Sequence, residues 1–404
     1  MEHYDLIVVG AGTSGIVLAS KVAAAGRRVL LLEREPRVGG CIHSWRPEPD
    51  YWVELGAHTA YNSYQALLEV LQARDGLSQL LARESLSYRF YSDRRFTSPL
   101  ARLSFLELAL SLPFGLAHGK RGSDLARYYG ALFGRRNYRR LLAPAFAAVL
   151  SQPADAFPAE WLFRKKPRMK SAPRKYTWGT GLQGLLEWLV AEAPFETRLD
   201  CEVEGIDRNA RGYRVELCGE HIECAQLALA TSPEVAATLL SDAHAEIAAQ
   251  LARIPMAEIE TTAVVVPADK SDTPKLAGII GGDEGFYSAV SRDPVPHPQW
   301  RGFAFHFQPH RLDRDGRLRR IADVLGVGVE DFVAVMEKVN RLPALGVEHV
   351  GLAKLIDQHI VSLPLALAGN YLNGLSIGDC AERAAREAER LIALSIAEPL
   401  DGAA

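Results

Sequence analysis

DLIVVGAGTSGIVLASKVAAAGRRVLLLE, residues 5–33, decides the architecture. DLIVV is apolar and β-branched, the pattern of a strand buried on both faces of a parallel sheet. Gly10-Ala11-Gly12-Thr13-Ser14-Gly15 follows as a G-x-G-x-x-G turn. Residues 16–25 read as a helix ended by Gly26, and RVLLL, residues 28–32, reads as a second strand closed by Glu33. Gly10 permits the tight turn, Gly12 lets the backbone approach a pyrophosphate, and Gly15 lets the helix pack close to the sheet. The helix N-terminus offers N–H groups and a positive dipole end to phosphates. Glu33 can accept from both hydroxyls of a ribose and would repel a 2′-phosphate. Glycine turns alone are common; the strand, helix, second strand and terminal acid around this one predict a dinucleotide site, with Thr13 and Ser14 among its contacts.

A second G-x-G-x-x-G stands at residues 179–184. Basic and aromatic residues precede it (RKYTW), not a buried strand, and no acid closes a following strand at the usual distance. It reads as a glycine turn that starts a helix over residues 182–192. The chain therefore has one nucleotide-binding unit and no NAD(P) domain.

Downstream of Glu33-Arg34 come Gly39-Gly40, Cys41-Ile42-His43-Ser44 and Val53-Glu54-Leu55-Gly56-Ala57-His58. This run resembles the start of the flavin amine oxidase superfamily, which includes protoporphyrinogen oxidases, monoamine oxidases and phytoene desaturases. The resemblance implies FAD as cofactor. The paired glycines would pass beside its ribityl-pyrophosphate, the segment Glu54-Leu55-Gly56 would approach the flavin ring, and Gly56, Ala57 and His58 would be among the cofactor contacts. Position 41, often arginine or tryptophan in relatives, is cysteine here. Residues 180–186 resemble the family's Gly-Gly-Leu-x-x-Leu helix start. Residues 203–206, 213–217 and 226–231 resemble the strands that return to the FAD domain, with Val203 at the adenine and Ala230-Thr231 near the nucleotide. Residues 365–370, ending in Gly369-Asn370, resemble the last strand of that domain. Gly374-Leu375-Ser376 would then start a final helix pointing at the flavin pyrimidine edge.

Within the superfamily, residues 369–380 (GNYLNGLSIGDC) look most like protoporphyrinogen oxidases. The lysine that amine oxidases hold near flavin N5 has no counterpart in TTAVVV, residues 261–266. The resemblance thus implies an FAD-dependent oxidase or dehydrogenase, with flavin N5 as hydride acceptor and no catalytic side chain assigned. An oxidase or desaturase of another amine or isoprenoid substrate, and a non-catalytic FAD-binding partner protein, are the alternatives.

The fold expected is α/β: a discontinuous, Rossmann-like, three-layer FAD-binding domain (residues 1–64, 179–254 and 326–404) with an inserted α+β substrate-binding domain (residues 65–178 and 255–325). A formal net charge of −3 provides no global field to draw in nucleic acid. Five cysteines without a C-x-x-C pair point to neither a disulfide framework nor a zinc site, so no metal is expected and a cytoplasmic location fits. No signal peptide or membrane span is read. Residues 103–117 (LSFLELALSLPFGLA) read as a buried helix, with an interfacial membrane anchor as the alternative. Seven cations between positions 164 and 175 read as a solvated loop; a carboxylate-binding lid or a contact with anionic lipid is the functional alternative. Arg135, Arg136, Arg139 and Arg140 form a second basic cluster, read the same way. Candidate contacts to a small-molecule substrate are His58, Arg102, Tyr176 and Trp178. Oligomeric state is left open.

Overall fold

The computed structural model describes residues 3–282 and 284–394. Its first strand, His3–Val9, pairs in parallel with Val29–Leu32 on one side and with Glu220–Leu229 on the other. Glu196–Arg198 extends the sheet beyond Val29–Leu32, and Leu365–Leu367 pairs in parallel with the end of Glu220–Leu229. Val203–Asn209 and Gly212–Leu217 complete this sheet as an antiparallel meander. Alternation along the strands explains the three layers. Leu6, Val8, Val29 and Leu31 face a core shared with helices Thr13–Ala24, Leu182–Ala191 and Ile377–Ala393. Tyr4, Ile7, Val9, Leu30 and Leu32 face a second core shared with helices Pro233–Leu239, Ala245–Leu251 and His349–Ile360.

A second seven-stranded sheet is ordered Ala334–Pro343, Met256–Pro267, Trp300–Phe307, Phe286–Ser291, Gly278–Ile280, Tyr88–Ser92, Arg95–Thr97. Its outer face buries Val264, Phe303 and Phe305 beneath helix Arg314–Leu325. Its inner face, through Ala263, Val265 and Ala304, packs on Tyr51, Val53 and Leu55, which follow the nucleotide-binding unit in sequence. The two sheets therefore meet across residues 51–58.

Two expected boundaries move. Ala334–Pro343 pairs along its whole length with Met256–Pro267, so it belongs to the second sheet and not to the FAD layer expected from residue 326. Its polar, alternating sequence suits an edge strand with one wet face. Helix Gln65–Gln72 and the residues Tyr176 and Trp178 lie in the core of the nucleotide layer and not in the substrate layer, because Leu67, Leu68 and Leu71 pack there.

The helix read as buried is the clearest correction. Phe105–Gly115 forms, capped by Ser104, but only Gly115 of it is buried. Phe105, Leu106, Leu110 and Phe114 are 66–75% exposed. An apolar run of this kind has the same periodicity whether a core or some other apolar phase covers it.

Candidate active site

The expected nucleotide contacts converge at the carboxyl ends of the parallel strands, where open α/β sheets bind ligands. Gly10 takes φ +101° and lies so near Ala230 that an added Cβ would sit 2.9 Å from that carbonyl oxygen. Gly15 packs so closely that its Cβ would fall 1.9 Å from Gly10 O. Gly12 differs: a Cβ there meets nothing nearer than Gly39 O at 4.0 Å. The first helix begins at that open point with no side-chain cap and no acid in its first turn. Its N-terminal N–H groups and dipole thus face free space bordered by Gly39 and Gly40, which adopt φ +119° and +57°. Arg37 braces this loop, donating to the carbonyls of Val38, Ile42 and Gly40. Glu33, buried at the tip of the second strand, accepts from Ala11 N (2.8 Å) and Glu35 N (3.0 Å). Each carboxylate oxygen keeps a lone pair for a ribose hydroxyl. An uncapped helix start, an open glycine and an acid one turn away fit the pyrophosphate and ribose of FAD. Arg34 is exposed beside Glu35, Val203 opens the edge strand of the first sheet, and Thr231 follows Ala230 at the end of its strand.

The second glycine turn holds no phosphate. Gly181, at φ +90°, starts helix Leu182–Ala191, whose first N–H groups are taken by protein oxygens. Leu182 N donates to Glu54 (2.7 Å) and Gln183 N to Ser44 Oγ (3.0 Å), while Ser44 Oγ donates to Glu54 (2.7 Å). Burial pushes the Glu54 carboxyl up to about 7 against these hydrogen bonds.

Where the sheets meet, polar side chains from separate strands form one cluster. Thr261 lies between His306 and Lys338 across the second sheet. Its Oγ1 pairs with His306 Nδ1 (3.0 Å) and accepts from Asn340 Nδ2 (2.9 Å), which also donates to Leu55 O. Lys338 Nζ is 3.4 Å from His43 Nδ1. Desolvation, reinforced by Arg37, pushes the Lys338 ammonium below its ordinary range. His43 and His306 are driven down to about 4 by burial, and His58 to about 3 by burial and then by Arg83. His58 pairs with Thr59 Oγ1 and lines a small cavity with Trp52, Glu54, Arg83, Ser291 and Arg292.

The remaining sequence candidates scatter. Arg102 donates to Ser92 Oγ (2.5 Å) and lies over the Phe90 ring at 4.4 Å. Tyr176 is fully buried, its hydroxyl without a partner, and Trp178 packs on Trp188. Within the basic segment, Arg164 and Lys166 are part-buried and paired. Both bind Asp379, whose carboxylate also accepts from Ser376 in a capping box at the start of the last helix. Arg164 also donates to Asn373 O (2.6 Å), while Lys165, Arg168, Lys170 and Arg174 are exposed. Gly374, at φ +126°, and Leu375 lead into that cap, and Gly369 and Asn370 follow the last strand of the first sheet. Arg37, Arg83, Arg292, His306 and Lys338 were missed as site residues. Only Arg37, four residues after Glu33, carried a local signal.

A three-layered nucleotide-binding unit with an open cleft, and a polar cluster where its sheet meets the second sheet, defines a class. The description of the flavin containing amine oxidoreductases matches residues 13–274. The chain belongs to that family, whose cofactor is FAD. It resembles (S)-6-hydroxynicotine oxidase of Paenarthrobacter nicotinovorans, 27% identical over 261 residues that span 57% of this chain and 60% of that enzyme. Among solved structures, a candidate protoporphyrinogen oxidase from Exiguobacterium sp. 255-15 superposes with a TM-score of 0.78 at 17% identity, over 97% of this chain and 98% of the other. Putrescine oxidase bound to putrescine gives 0.71 at 16% identity, over 97% and 99%.

Proposed function

We propose that this protein is an FAD-dependent oxidoreductase that dehydrogenates a C–H/N–H or C–H/C–H unit, in the manner of a protoporphyrinogen oxidase. FAD bound in the cleft supplies a two-electron acceptor for hydride. The observation that carries the reading is the open, uncapped glycine turn of the first unit, together with the polar, histidine-bearing cluster where the two sheets meet. At pKa values of about 3 to 4, His43, His58 and His306 stay neutral at physiological pH and hold an abstracted proton poorly. Such a site suits substrate oxidation by hydride loss, without a protein base at the reacting carbon. Thr261, Asn340 and the Lys338 ammonium orient polar groups of the substrate. The test is anaerobic mixing of the holoprotein with protoporphyrinogen or coproporphyrinogen, read by flavin bleaching and porphyrin fluorescence. Bleaching by an amine or an isoprenoid intermediate alone would move the substrate to the alternative classes. A flavin that no substrate bleaches, in protein that binds FAD stoichiometrically, would leave a binding protein.

We further propose that helix Phe105–Gly115 rests on an anionic membrane surface. Among the described helices none is long and apolar enough to cross a bilayer. Yet Leu100, Phe105, Leu106, Leu110, Phe114 and Leu116 are 66–75% exposed. Residues 99–163 carry eight Lys/Arg against four Asp/Glu. All four of those acids are occupied internally: Glu107 by Arg136 N and Asn137 N, Asp124 by Arg127 N, Asp155 by Tyr138 OH and Glu160 by Gly122 N. An apolar face within a basic segment suits acyl chains beneath anionic headgroups. Co-sedimentation with phosphatidylglycerol-containing vesicles is expected, reduced with pure phosphatidylcholine and abolished by Phe105→Asp/Leu106→Asp/Phe114→Asp. Vesicle binding that is absent or unaltered in that variant refutes the contact, and a wild-type dimer lost in the variant assigns the face to a second copy.

A further inference from the structure

Asp379 receives more positive charge than a helix cap requires. It stands in the first turn of helix Ile377–Ala393, where its Oδ2 accepts from Ser376 Oγ (2.6 Å) and Ser376 N (3.3 Å) in the capping box. Its Oδ1 takes two cations, Arg164 and Lys166, the second at 2.7 Å, from 215 and 213 positions earlier in the chain. The carboxylate side chain is 8% exposed, Lys166 18% and Arg164 27%. Lys166 also reaches the exposed Glu382 at 2.6 Å. Asp124 and Asp313 cap helices too, and each serves a backbone N–H: Arg127 N at 2.6 Å and Gly316 N at 2.7 Å. Neither has a cationic partner among the described residues.

The start of this helix borders the nucleotide cleft. The helix packs along Thr13–Ala24 through Ile377, Ala381 and Ala384. Cys380, next to Asp379, lies beside Ser14, two residues beyond the open Gly12. In the first sheet, Val29–Leu32 with Glu33 at its tip lies on one side of His3–Val9, and Leu365–Leu367, which leads to the helix, lies on the other. An FAD whose ribose meets Glu33 and whose pyrophosphate crosses Gly12 therefore continues, with its flavin half, toward the Ser376 cap. The N–H groups of Ile377 and Gly378 have no protein acceptor among the described residues. Those of Leu182 and Gln183, at the second glycine turn, are consumed by Glu54 and Ser44. An unpaired Asp379 carboxylate would cancel the positive end of this helix where it borders the cleft.

We propose that Arg164 and Lys166 neutralise Asp379 and thereby raise the reduction potential of bound FAD. Both are positioning residues that act through Asp379. The inference goes beyond the proposed substrate reading and rests on FAD in the cleft alone. Uptake of two electrons and one proton leaves reduced FAD with one more negative charge than oxidised FAD, so a negative neighbour disfavours reduction and a neutralised one does not. Arg164 also donates to Asn373 O at 2.6 Å, which ties the segment carrying both cations to the loop before the cap. The acid can therefore serve the capping box without its charge reaching the cofactor.

The test is the midpoint potential of the holoprotein, measured by slow anaerobic reduction against a reference dye, which needs no substrate of this protein. Arg164→Gln and Lys166→Gln should each lower the ratio of reduced to oxidised FAD at a fixed potential roughly tenfold, a drop of about 30 mV for a two-electron couple. Asp379→Asn keeps an acceptor for Ser376 and leaves both cations in place, so it should shift the ratio by a similar factor in the opposite direction. Arg164→Lys keeps the charge and should stay near wild type, and the exposed Lys165→Gln should leave the potential unchanged. A clamp with a structural role alone would lower stability in the three charge-removing variants without this reversal of sign. Glutamine variants with the wild-type potential, or Asp379→Asn shifted downward, overturn the proposal. Should a glutamine variant retain no FAD, Asp379→Asn decides: a raised potential supports the proposal, and an unchanged or lowered one overturns it. Failure of the oxidoreductase reading shows separately, as holoprotein with the expected potentials that no substrate bleaches.

Discussion

The carboxyl group of Glu54 accepts a hydrogen bond from Leu182 N at 2.7 Å, joining the end of the first β-hairpin to the helix that follows the second glycine turn. The protein's own acid sits where a phosphate would sit at a nucleotide-binding helix. The motif is a fold-closing device: a buried acceptor satisfies orphan N–H groups and the helix dipole without a ligand. Ser44 completes it by bonding both Glu54 and Gln183 N.

The pH response of this pair follows from its burial. Glu54 has an ordinary value of 4.5 and is raised to about 7 in the fold, first by desolvation. The folded state therefore favours the protonated carboxyl. That stabilisation is fully present below about pH 4.5 and is lost as pH rises through about 7. Glu54→Gln cannot ionise and lacks the dependence. Across that window wild type should lose on the order of 3 kcal/mol relative to the variant, in urea unfolding at a series of pH values. A difference that stays flat with pH would mean that Glu54 is ionised throughout.

The first βαβ unit was legible because its signals are local: apolar runs, the glycines of the turn and the closing acid Glu33, all within 29 residues. The rest of the site was not, for a physical reason. Thr261, His306, Lys338 and Asn340 meet only through strand register, across pairs separated by 45 to 79 positions. No local periodicity encodes that register. The strand Ala334–Pro343 reads as polar, because the solvent takes Glu337, Val339 and Arg341 while Lys338 and Asn340 turn inward. Phe105–Gly115 was misread for the opposite reason: an apolar helix states its preference for an apolar phase but not which one. Arg164 and Lys166 look like their exposed neighbours in sequence, and only the return of the last helix supplies Asp379.

Those two cations give a contrast within one short segment. Arg164→Gln and Lys166→Gln each leave Asp379 short of a charged donor, where both partners are largely shielded from solvent. Each should cost about 1.5–3 kcal/mol in thermal or chemical unfolding. Lys165→Gln, Arg168→Gln and Lys170→Gln act on exposed side chains and should stay within about 0.5 kcal/mol of wild type. Equal effects across all five would remove the clamp and leave a solvated loop.

Glu33 holds the nucleotide turn as well as facing the ribose, so its truncation has two consequences. Glu33→Ala removes the acceptor of Ala11 N and Glu35 N and should lower stability by about 1–3 kcal/mol. Glu33→Gln keeps an acceptor for Ala11 N and loses only the one for Glu35 N, so it should lose less stability than Glu33→Ala. Both should bind FAD more weakly, by about 1.5–3 kcal/mol for each charge-assisted hydrogen bond lost to the ribose. Fluorescence titration of apoprotein with FAD reads the affinity, and melting of the same apoprotein reads the fold. Wild-type FAD affinity in Glu33→Gln would show that the ribose lies elsewhere.

The glycines of the first turn separate ligand space from packing space. Gly15 has none to spare: a methyl group would fall 1.9 Å from Gly10 O and 3.3 Å from the Ala230 side chain, so the helix must move off the sheet. Gly15→Ala should cost about 3 kcal/mol or more, at the upper end of core overpacking, and yield little soluble protein. Gly12 adopts φ −78°, which alanine also favours, and its added methyl meets only Gly39 O at 4.0 Å. Gly12→Ala should therefore melt within about 1 kcal/mol of wild-type apoprotein. The same methyl points into the space before the uncapped helix N-terminus, where the pyrophosphate must approach the backbone, so this variant should purify with little or no FAD. Stability is read on apoprotein by circular dichroism, and FAD content by absorbance after acid release. A Gly12→Ala protein that retains stoichiometric FAD would place the pyrophosphate away from this turn, and a Gly15→Ala protein as stable as wild type would show that the close approach of helix and sheet is not required.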